Sequence, residues 1–273
     1  MRFPPFHWWR TVFVLIPAIS LYTIVLGTLS IASSLIETRG YFAHWCARRW
    51  SRLILITTGV KVEVAGLDRL EPGRTYVFVS NHQSIYDIPI LFWSLPYQLR
   101  IIAKESLGRI PFLGWHLSRT GHMLVDRRRP DRAAIFGWAS RLTSGGLSLI
   151  VFPEGTRSRD GRVARFKGGS VLLALQAGLP VVPLSVIGSR HVMRKNRLAV
   201  YPGRVRLIVH EPIDTGGLAA TDPREFGERV RRIIAPDAES DVVIAADTAP
   251  EIASEDMPLN FRARAGESDR RRT

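Results

Sequence analysis

The sequence predicts an α/β domain with a largely parallel sheet flanked by helices, preceded by an N-terminal membrane-embedded helical segment. Three observations lead there. From residue 60 onward, short apolar β-branched runs alternate with stretches of helical periodicity, the pattern of a parallel sheet with crossover helices. Before them stands Thr11–Ile36, 26 residues without a charge. After Pro236 the chain turns acidic and rich in Ala, Ser, Pro and Asp, with no sustained period. The expected division is 1–58 for membrane-associated helices, 59–235 for the globular domain and 236–273 for an acidic tail without fixed structure.

As a helix, the uncharged segment would rise about 39 Å, enough for a hydrocarbon layer of about 30 Å. Trp8 and Trp9 stand just before it, where amphipathic aromatics favour the interface. It is too long for a cleaved signal peptide, and no small-x-small site closes it. Arg2 and Arg10 precede it, whereas Arg39, Arg48, Arg49 and Arg52 follow. That excess puts the C-terminal side in the cytoplasm, so the expected location is the cytoplasmic face of the inner membrane. Pro17 and Gly27 offer an alternative, a bend that returns the segment to one leaflet. Tyr41–Thr57 reads as a second helix, with Phe42, Cys46, Trp50 and Leu53 on one face and Arg48 and Arg52 opposite. It either lies in the membrane interface or packs on the domain as an ordinary amphipathic helix.

Within the domain, Val60–Val64 and Tyr76–Ser80 read as strands. Asp131–Thr143 reads as a helix with Asp131 near its start. Leu147–Phe152 is a buried strand, and Ser170–Ala177 is a helix that stops at Gly178. Val181–Ile187 and Val205–His210 are strands, and Pro223–Ile234 is the last helix. Val182-Pro183-Leu184 sets a proline in an apolar strand, which argues for an edge or irregular position.

The charge is uneven. The chain carries +14 overall, yet the residues from Pro236 onward hold nine acids against five arginines. A strongly basic body wants an anionic partner: nucleic acid, a membrane surface or a phosphorylated substrate. Only Lys61, Lys104, Lys167 and Lys195 are lysines, so the arginine count reflects composition more than purpose. The single cysteine, Cys46, excludes an internal disulfide and a cysteine-based zinc site, and is read as a packing residue.

Chemistry concentrates in four segments. Asn81-His82-Gln83-Ser84-Ile85-Tyr86-Asp87 follows the strand Tyr76–Ser80, and α/β sheets bind ligands at the carboxyl ends of their strands. Histidine titrates near neutral pH, and a buried carboxylate can fix its tautomer. Positions i and i+5 lie about 140° apart on a helix, so His82 and Asp87 meet only if His82 is in the loop and Asp87 in the first helical turn. The other reading makes Ser84–Asp87 a capping box and His82 a turn residue. Phe152-Pro153-Glu154-Gly155-Thr156-Arg157-Ser158 follows the next strong strand. Gly155 permits close backbone approach and Arg157 can grip phosphate oxygens, with Arg159, Arg162, Arg165 and Lys167 nearby. A solvated turn with ordinary surface charges reads equally well from these residues alone. The segment Lys104–Trp115 mixes Lys104, Arg109, glycines and bulky apolar groups, and could line a groove for a phosphate and an acyl chain. Val182-Pro183-Leu184 is the fourth.

Together these segments resemble the 1-acylglycerol-3-phosphate acyltransferase family of glycerolipid acyltransferases. That family shows an NHxxxxD block, a Lys-Glu and Pro-x-x-Gly block, an FPEGTRS block and a short Val-Pro block, all present here in order. The resemblance implies that His82 is the general base, oriented by Asp87, and takes the proton from the sn-2 hydroxyl of a lysophospholipid. The hydroxyl then attacks the thioester of acyl-CoA or acyl-carrier protein, with no covalent acyl-enzyme. Glu154, Gly155, Thr156 and Arg157 would bind the glycerol phosphate, assisted by Lys104 and Arg109. No metal and no cofactor beyond the thioester co-substrate is expected. The partners implied are membrane lipids, a lysophospholipid acceptor and an acyl thioester donor. The FPEGTRS wording favours 1-acylglycerol 3-phosphate, giving phosphatidic acid, over glycerol 3-phosphate or another lysolipid.

The rivals fare worse. A hydrolase would show G-x-S-x-G or H-E-x-x-H, and neither occurs. A nucleic-acid module suits the charge but not the long uncharged segment, and no zinc-finger spacing is present. An inactive membrane scaffold has no need of the His82/Asp87 pair.

Overall fold

Pro17 leaves its mark on the N-terminal helix. A proline inside a helix donates no N–H, and its ring crowds the carbonyl four residues back. The computed structural model describes residues 5–247 except 38, 127–128, 130 and 217–221, with the backbone alone at 132 and 241–247. In it, α1 (Phe6–Arg10) passes through a wide π turn at Thr11–Leu15 into α2 (Ile16–Ser33). The turn immediately before Pro17 thus absorbs the missing bond. Together they make one apolar helical run, Phe6–Ser33, long enough to cross a membrane. Phe6, Phe13, Val14, Leu21 and Val25 are exposed along it. Its other side is fastened to the second helix and to the domain. Arg10 donates to the carbonyls of Thr57, Thr58 and Val200, Trp50 donates to Thr23, and Ser30 bonds His116.

The second helix, α3 (Tyr41–Thr58), packs against α2 and splits the stripe that the sequence suggested. Cys46 is buried and Trp50 half-buried, whereas Phe42 and Leu53 turn outward with Trp45 and Ile56. Ala43, His44, Ser51, Ile54, Leu55 and Thr58 complete the inner face with Cys46. Arg48 and Arg52 do stand apart from that face, over the Trp93 ring at 5.8 and 5.2 Å.

Seven strands form one sheet in the order β1-β7-β6-β2-β5-β3-β4. They are β1 (Val60–Ala65), β2 (Val77–Ser80), β3 (Leu99–Lys104), β4 (Met123–Val125), β5 (Ser148–Val151), β6 (Val181–Ile187) and β7 (Gly203–Val209). All neighbours are parallel except β6 and β7. The connecting helices are α4 (Asp87–Ser94), α5 (Leu113–Arg119), α6 (Arg132–Ser144), α7 (Gly168–Gln176), α8 (Ser189–Val192) and α9 (Pro223–Asp247). Asp131 caps α6 by accepting the Ala134 N–H at 3.0 Å. Helices cover both faces, so the central strands are buried throughout and show no polar alternation. Phe78 of β2 joins the core beneath α3 and α4, while Val77 and Val79 join the core with α7 and α9.

Two prolines correct the sequence reading. Pro183 is not on an edge: β6 lies between β7 and β2. Its position is irregular, as the alternative held. Pairing on the β7 side shifts from Leu184↔Val209 to Val181↔Ile213, so one extra residue of the neighbouring segment falls beside Pro183. At such a bulge the missing N–H breaks no ladder bond, and the Pro183 carbonyl still accepts from His210 N–H at 3.0 Å.

The second correction concerns the expected tail. α9 continues through Pro236 to Asp247, so residues 236–247 are helical rather than without structure. Proline forfeits a helical bond there, but tertiary partners outweigh that loss. Ile234 and Ala238 are fully buried, Gln83 donates to the Ala238 carbonyl at 3.0 Å, and the Glu239 carboxylate accepts the Val163 N–H at 2.8 Å. Residues 248–273 lie outside those described. Glu239→Ala should therefore destabilise the fold by about 1.5–3 kcal/mol, the range for a hydrogen bond to a charged group. Thermal unfolding checks this, and an unchanged midpoint would put 236–247 back outside the fold.

Candidate active site

β2 and β5 are parallel neighbours, with Val79 opposite Val151, so the segments leaving their carboxyl ends emerge side by side. The first segment begins with a clamp. The Asn81 side chain donates to the Val186 carbonyl and accepts the Val186 N–H, both at 2.8 Å, and so locks the exit of β2 to β6. His82 comes next, and its own peptide groups are held by the second segment. Its N–H donates to Glu154 Oε1 at 2.7 Å, and its carbonyl accepts the Ser158 N–H at 2.7 Å.

The imidazole is fixed as firmly. His82 Nδ1 lies 2.8 Å from Asp87 Oδ2, and the ring stacks on Phe152 with centroids 4.2 Å apart. α4 begins at Asp87, so the histidine sits in the loop and the carboxylate in the first helical turn, as the five-residue spacing requires. Asp87 is 0% exposed, and the same oxygen accepts the N–H groups of Gln83 and Ser84 at 2.8 and 3.0 Å. The capping reading is thus half realised. Asp87 reaches back to the Ser84 N–H, while the Ser84 hydroxyl accepts the Tyr86 N–H at a long 3.3 Å and donates to the Met193 carbonyl at 2.8 Å. A carboxylate at Nδ1 fixes the proton there and leaves Nε2 as the basic nitrogen.

Glu154 differs from its expected role. It is 3% exposed, and its two oxygens take the backbone N–H groups of His82 and, at 3.1 Å, Ala164. It holds the site together rather than offering its carboxylate to a ligand. Burial pushes its carboxyl up to about 7, against the pull of those two N–H groups. Gly155 follows at φ 69°, where a side chain is strained, and a Cβ there would lie 2.6 Å from Lys167 Nζ. Thr156 is exposed and Arg157 half-buried. Lys195 Nζ donates to Thr156 Oγ1 at 2.8 Å and to the Arg157 carbonyl at 2.7 Å.

Residues 61–187 match the family profile described as Acyltransferase. A chloroplastic 1-acyl-sn-glycerol-3-phosphate acyltransferase of Brassica napus is 36% identical over 178 residues, 64% of this chain and 51% of the relative. The 1-acyl-sn-glycerol-3-phosphate acyltransferase alpha of Bos taurus is 34% identical over 175 residues, 63% of this chain and 61% of that protein. The crystal structure of the 1-acyl-sn-glycerophosphate (LPA) acyltransferase PlsC from Thermotoga maritima matches with a TM-score of 0.68 at 28% identity, covering 81% of this chain and 94% of that one. Residues 61–187 form an acyltransferase domain. The chain spans about half the length of the plant relative.

Beside the histidine, the acyltransferase domain and the two N-terminal helices line a half-open cavity of about 280 Å³. His82, Phe152, Arg157 and Lys104 line it, and so do Leu26, Gly27, Trp50, Phe92, Leu107 and Phe112. Lys104 ends β3, two strands from β2 on the same side of the sheet. Arg109 is exposed in the turn after β3 and is not among the described residues that line the cavity. The Pro-x-x-Gly at Pro111–Gly114 has a packing reason: a Cβ on Gly114 would fall 2.2 Å from the Gly108 carbonyl oxygen. Cys46 is also in the wall, and burial pushes its thiol up to about 11, which suits packing. Among the described residues no group of His, Cys, Asp and Glu could hold a metal.

Sequence reasoning overlooked three residues that hold these loops in place. Asn81 clamps the loop, Gln83 ties it to the carbonyls of Gly161 and Ala238, and Lys195 braces the Thr156–Arg157 turn. One signal was available. In a chain that uses arginine for nearly all its bases, Lys104, Lys167 and Lys195 all gather here.

Glu154 makes the site pH-sensitive in stability. Its folded pKa, about 7, lies above the ordinary value of 4.5. Between those values the folded form keeps a proton that the unfolded chain has lost, so stability falls as pH rises from about 4.5 to 7 and is level beyond. Glu154→Gln should flatten that slope in thermal melts taken across the range. A slope unchanged in the variant would mean that another group produces it.

Proposed function

We propose that the chain transfers a fatty acyl group from acyl-CoA or acyl-carrier protein to the sn-2 hydroxyl of 1-acylglycerol 3-phosphate, giving phosphatidic acid. The observation that carries this reading is the His82–Asp87 pair at the wall of an apolar cavity that also receives Arg157 and Lys104. An apolar space beside a base and two cations suits a molecule with a hydrocarbon tail, a hydroxyl and a phosphate. Nε2 takes the hydroxyl proton as the oxygen attacks the thioester carbonyl. The tetrahedral intermediate collapses, the C–S bond breaks, and the departing thiolate recovers the proton from the imidazolium. Asp87 stabilises the imidazolium in between. The thioester supplies the activated acyl group, so the reading needs neither metal nor cofactor.

The same reading puts the enzyme on the cytoplasmic face of a membrane. Arg10 and Ser30, towards the two ends of the Phe6–Ser33 helix, bond Val200 and His116 of the domain, and Thr23 between them bonds Trp50 of α3. A helix crossing the whole hydrocarbon layer would carry those attachments with it, so insertion into one leaflet is favoured over spanning. α3 adds exposed Phe42, Trp45 and Ile56 interleaved with Arg49 and Arg52, the composition of an interfacial helix.

His82→Ala should lower acyl transfer by about 10²–10⁴-fold while the protein stays folded. A single-turnover assay with 1-acylglycerol 3-phosphate and an acyl thioester measures this, and an unchanged rate would end the mechanism. Arg157→Ala should act mainly on the KM for the phosphate-bearing acceptor. A fall in kcat alone would remove Arg157 from the phosphate site.

A further inference from the structure

The turn at Gly155–Arg157 has two unlike sides. The backbone N–H groups of Thr156 and Arg157 have no hydrogen-bond acceptor among the described residues. Beside an Arg157 side chain that lines the cavity, such amides are ready to receive an anion. The Thr156 hydroxyl and the Arg157 carbonyl are instead occupied by one group, the Lys195 ammonium.

The segment that delivers Lys195 reaches both catalytic loops. β6 ends at Ile187, and Gly188, at φ 87°, turns the chain into α8. Arg190 then donates to the Arg159 carbonyl at 3.0 Å, and the Met193 carbonyl accepts the Ser84 hydroxyl at 2.8 Å. Two residues later Lys195 closes on the turn. Segment 188–195 therefore ties the histidine loop to the arginine turn from outside.

The charges there are unbalanced. Among the described residues, Arg157, Arg159 and Lys195 form no ion pair. Burial, followed by the positive charges of Arg159 and Arg157, holds the Lys195 ammonium below its ordinary value, and the Glu154 carboxylate offsets this only in part. Like charges that are only partly offset are relieved when an anion arrives.

We propose that Lys195 is a positioning residue for acceptor binding: it fixes the Thr156–Arg157 turn so that the open amides and the guanidinium face the acceptor's phosphate. This rests on the function proposed above and refines its phosphate subsite. Two N–H groups of the ammonium hold the turn. Its charge raises the potential of the site without occupying the amides.

The test compares steady-state kinetics of the full chain and its variants, with 1-acylglycerol 3-phosphate and an acyl thioester varied in turn. Lys195→Met should raise the acceptor KM about tenfold, as expected for losing charge-assisted hydrogen bonds, with kcat and the thioester KM little changed. Lys195→Arg, which keeps the charge and the donors, should recover most of the affinity. A Lys195→Met enzyme with normal acceptor KM, with a defect in kcat alone, or with a raised thioester KM instead would overturn the assignment. Thermal melts guard against simple unfolding, and if Lys195→Met is unstable, Lys195→Gln replaces it under the same criteria. Arg157→Ala separates the two levels. If it raises the acceptor KM and the Lys195 variants do not, this inference fails alone. If neither does, the phosphate site itself is misassigned.

Discussion

The site depends on how the His82 peptide is held. Its N–H is taken by Glu154 and its carbonyl by Ser158, so one segment grips the histidine backbone from both sides. Side-chain interactions could orient an imidazole, but only backbone bonds fix where it starts. These two bonds also make the histidine loop and the arginine turn a single unit. Movement of one displaces the other, so His82 and the Gly155–Arg157 turn keep their spacing. Parallel pairing of β2 with β5 makes this possible, because it brings both carboxyl ends to the same edge of the sheet.

Holding a histidine this way carries a cost, visible in unsatisfied groups. Asp87 gathers three donors on Oδ2 while Oδ1 is buried without a partner among the described residues. Phe112, in the cavity wall, has φ 60°, an uncommon conformation for a bulky side chain. The Glu154 carboxyl sits in surroundings that disfavour its charge. These departures lie at the site, and the sheet core compensates for them through fully buried Phe78, Leu99, Ile150 and Leu184.

Much of this was legible in the sequence, for identifiable reasons. β5 and β6 are apolar runs bounded by turns, and such runs read as buried strands. His82 and Asp87 were legible as a pair because only one arrangement lets residues five apart meet at a loop–helix junction. β3 escaped notice because Arg100 interrupts it, a guanidinium 3% exposed that donates to the Leu99 carbonyl and the Gln98 side chain. α9 was cut short at Pro236 because local propensity says nothing of Gln83, which sits 155 residues away and receives no hint from spacing. Glu154 shows a different limit. A motif fixes the residue type, but not whether the carboxylate turns toward a ligand or inward to the backbone.

The basic excess acquires a meaning once its position is known. The cavity wall contains His116 and His122, yet both are held neutral, by burial first and then by the nearby Arg100 charge. The His116 pKa falls to about 4, and that of His122 lies well below its ordinary value. The Ile101 N–H is donated to His122 Nδ1, which requires that nitrogen to be unprotonated. The imidazoles in the apolar wall therefore add no charge to it, whereas Lys104 and Arg157 carry theirs at the same cavity. An amphiphile with an anionic head meets a surface divided the same way, with its tail favoured against the neutral wall and its head against the cations. Orientation then follows from desolvation as much as from attraction, because reversing the molecule would bury the phosphate among neutral rings and leave the cations facing hydrocarbon. A hydroxyl near such a head would then lie toward His82, whose Nδ1 is held by Asp87 in the same lining.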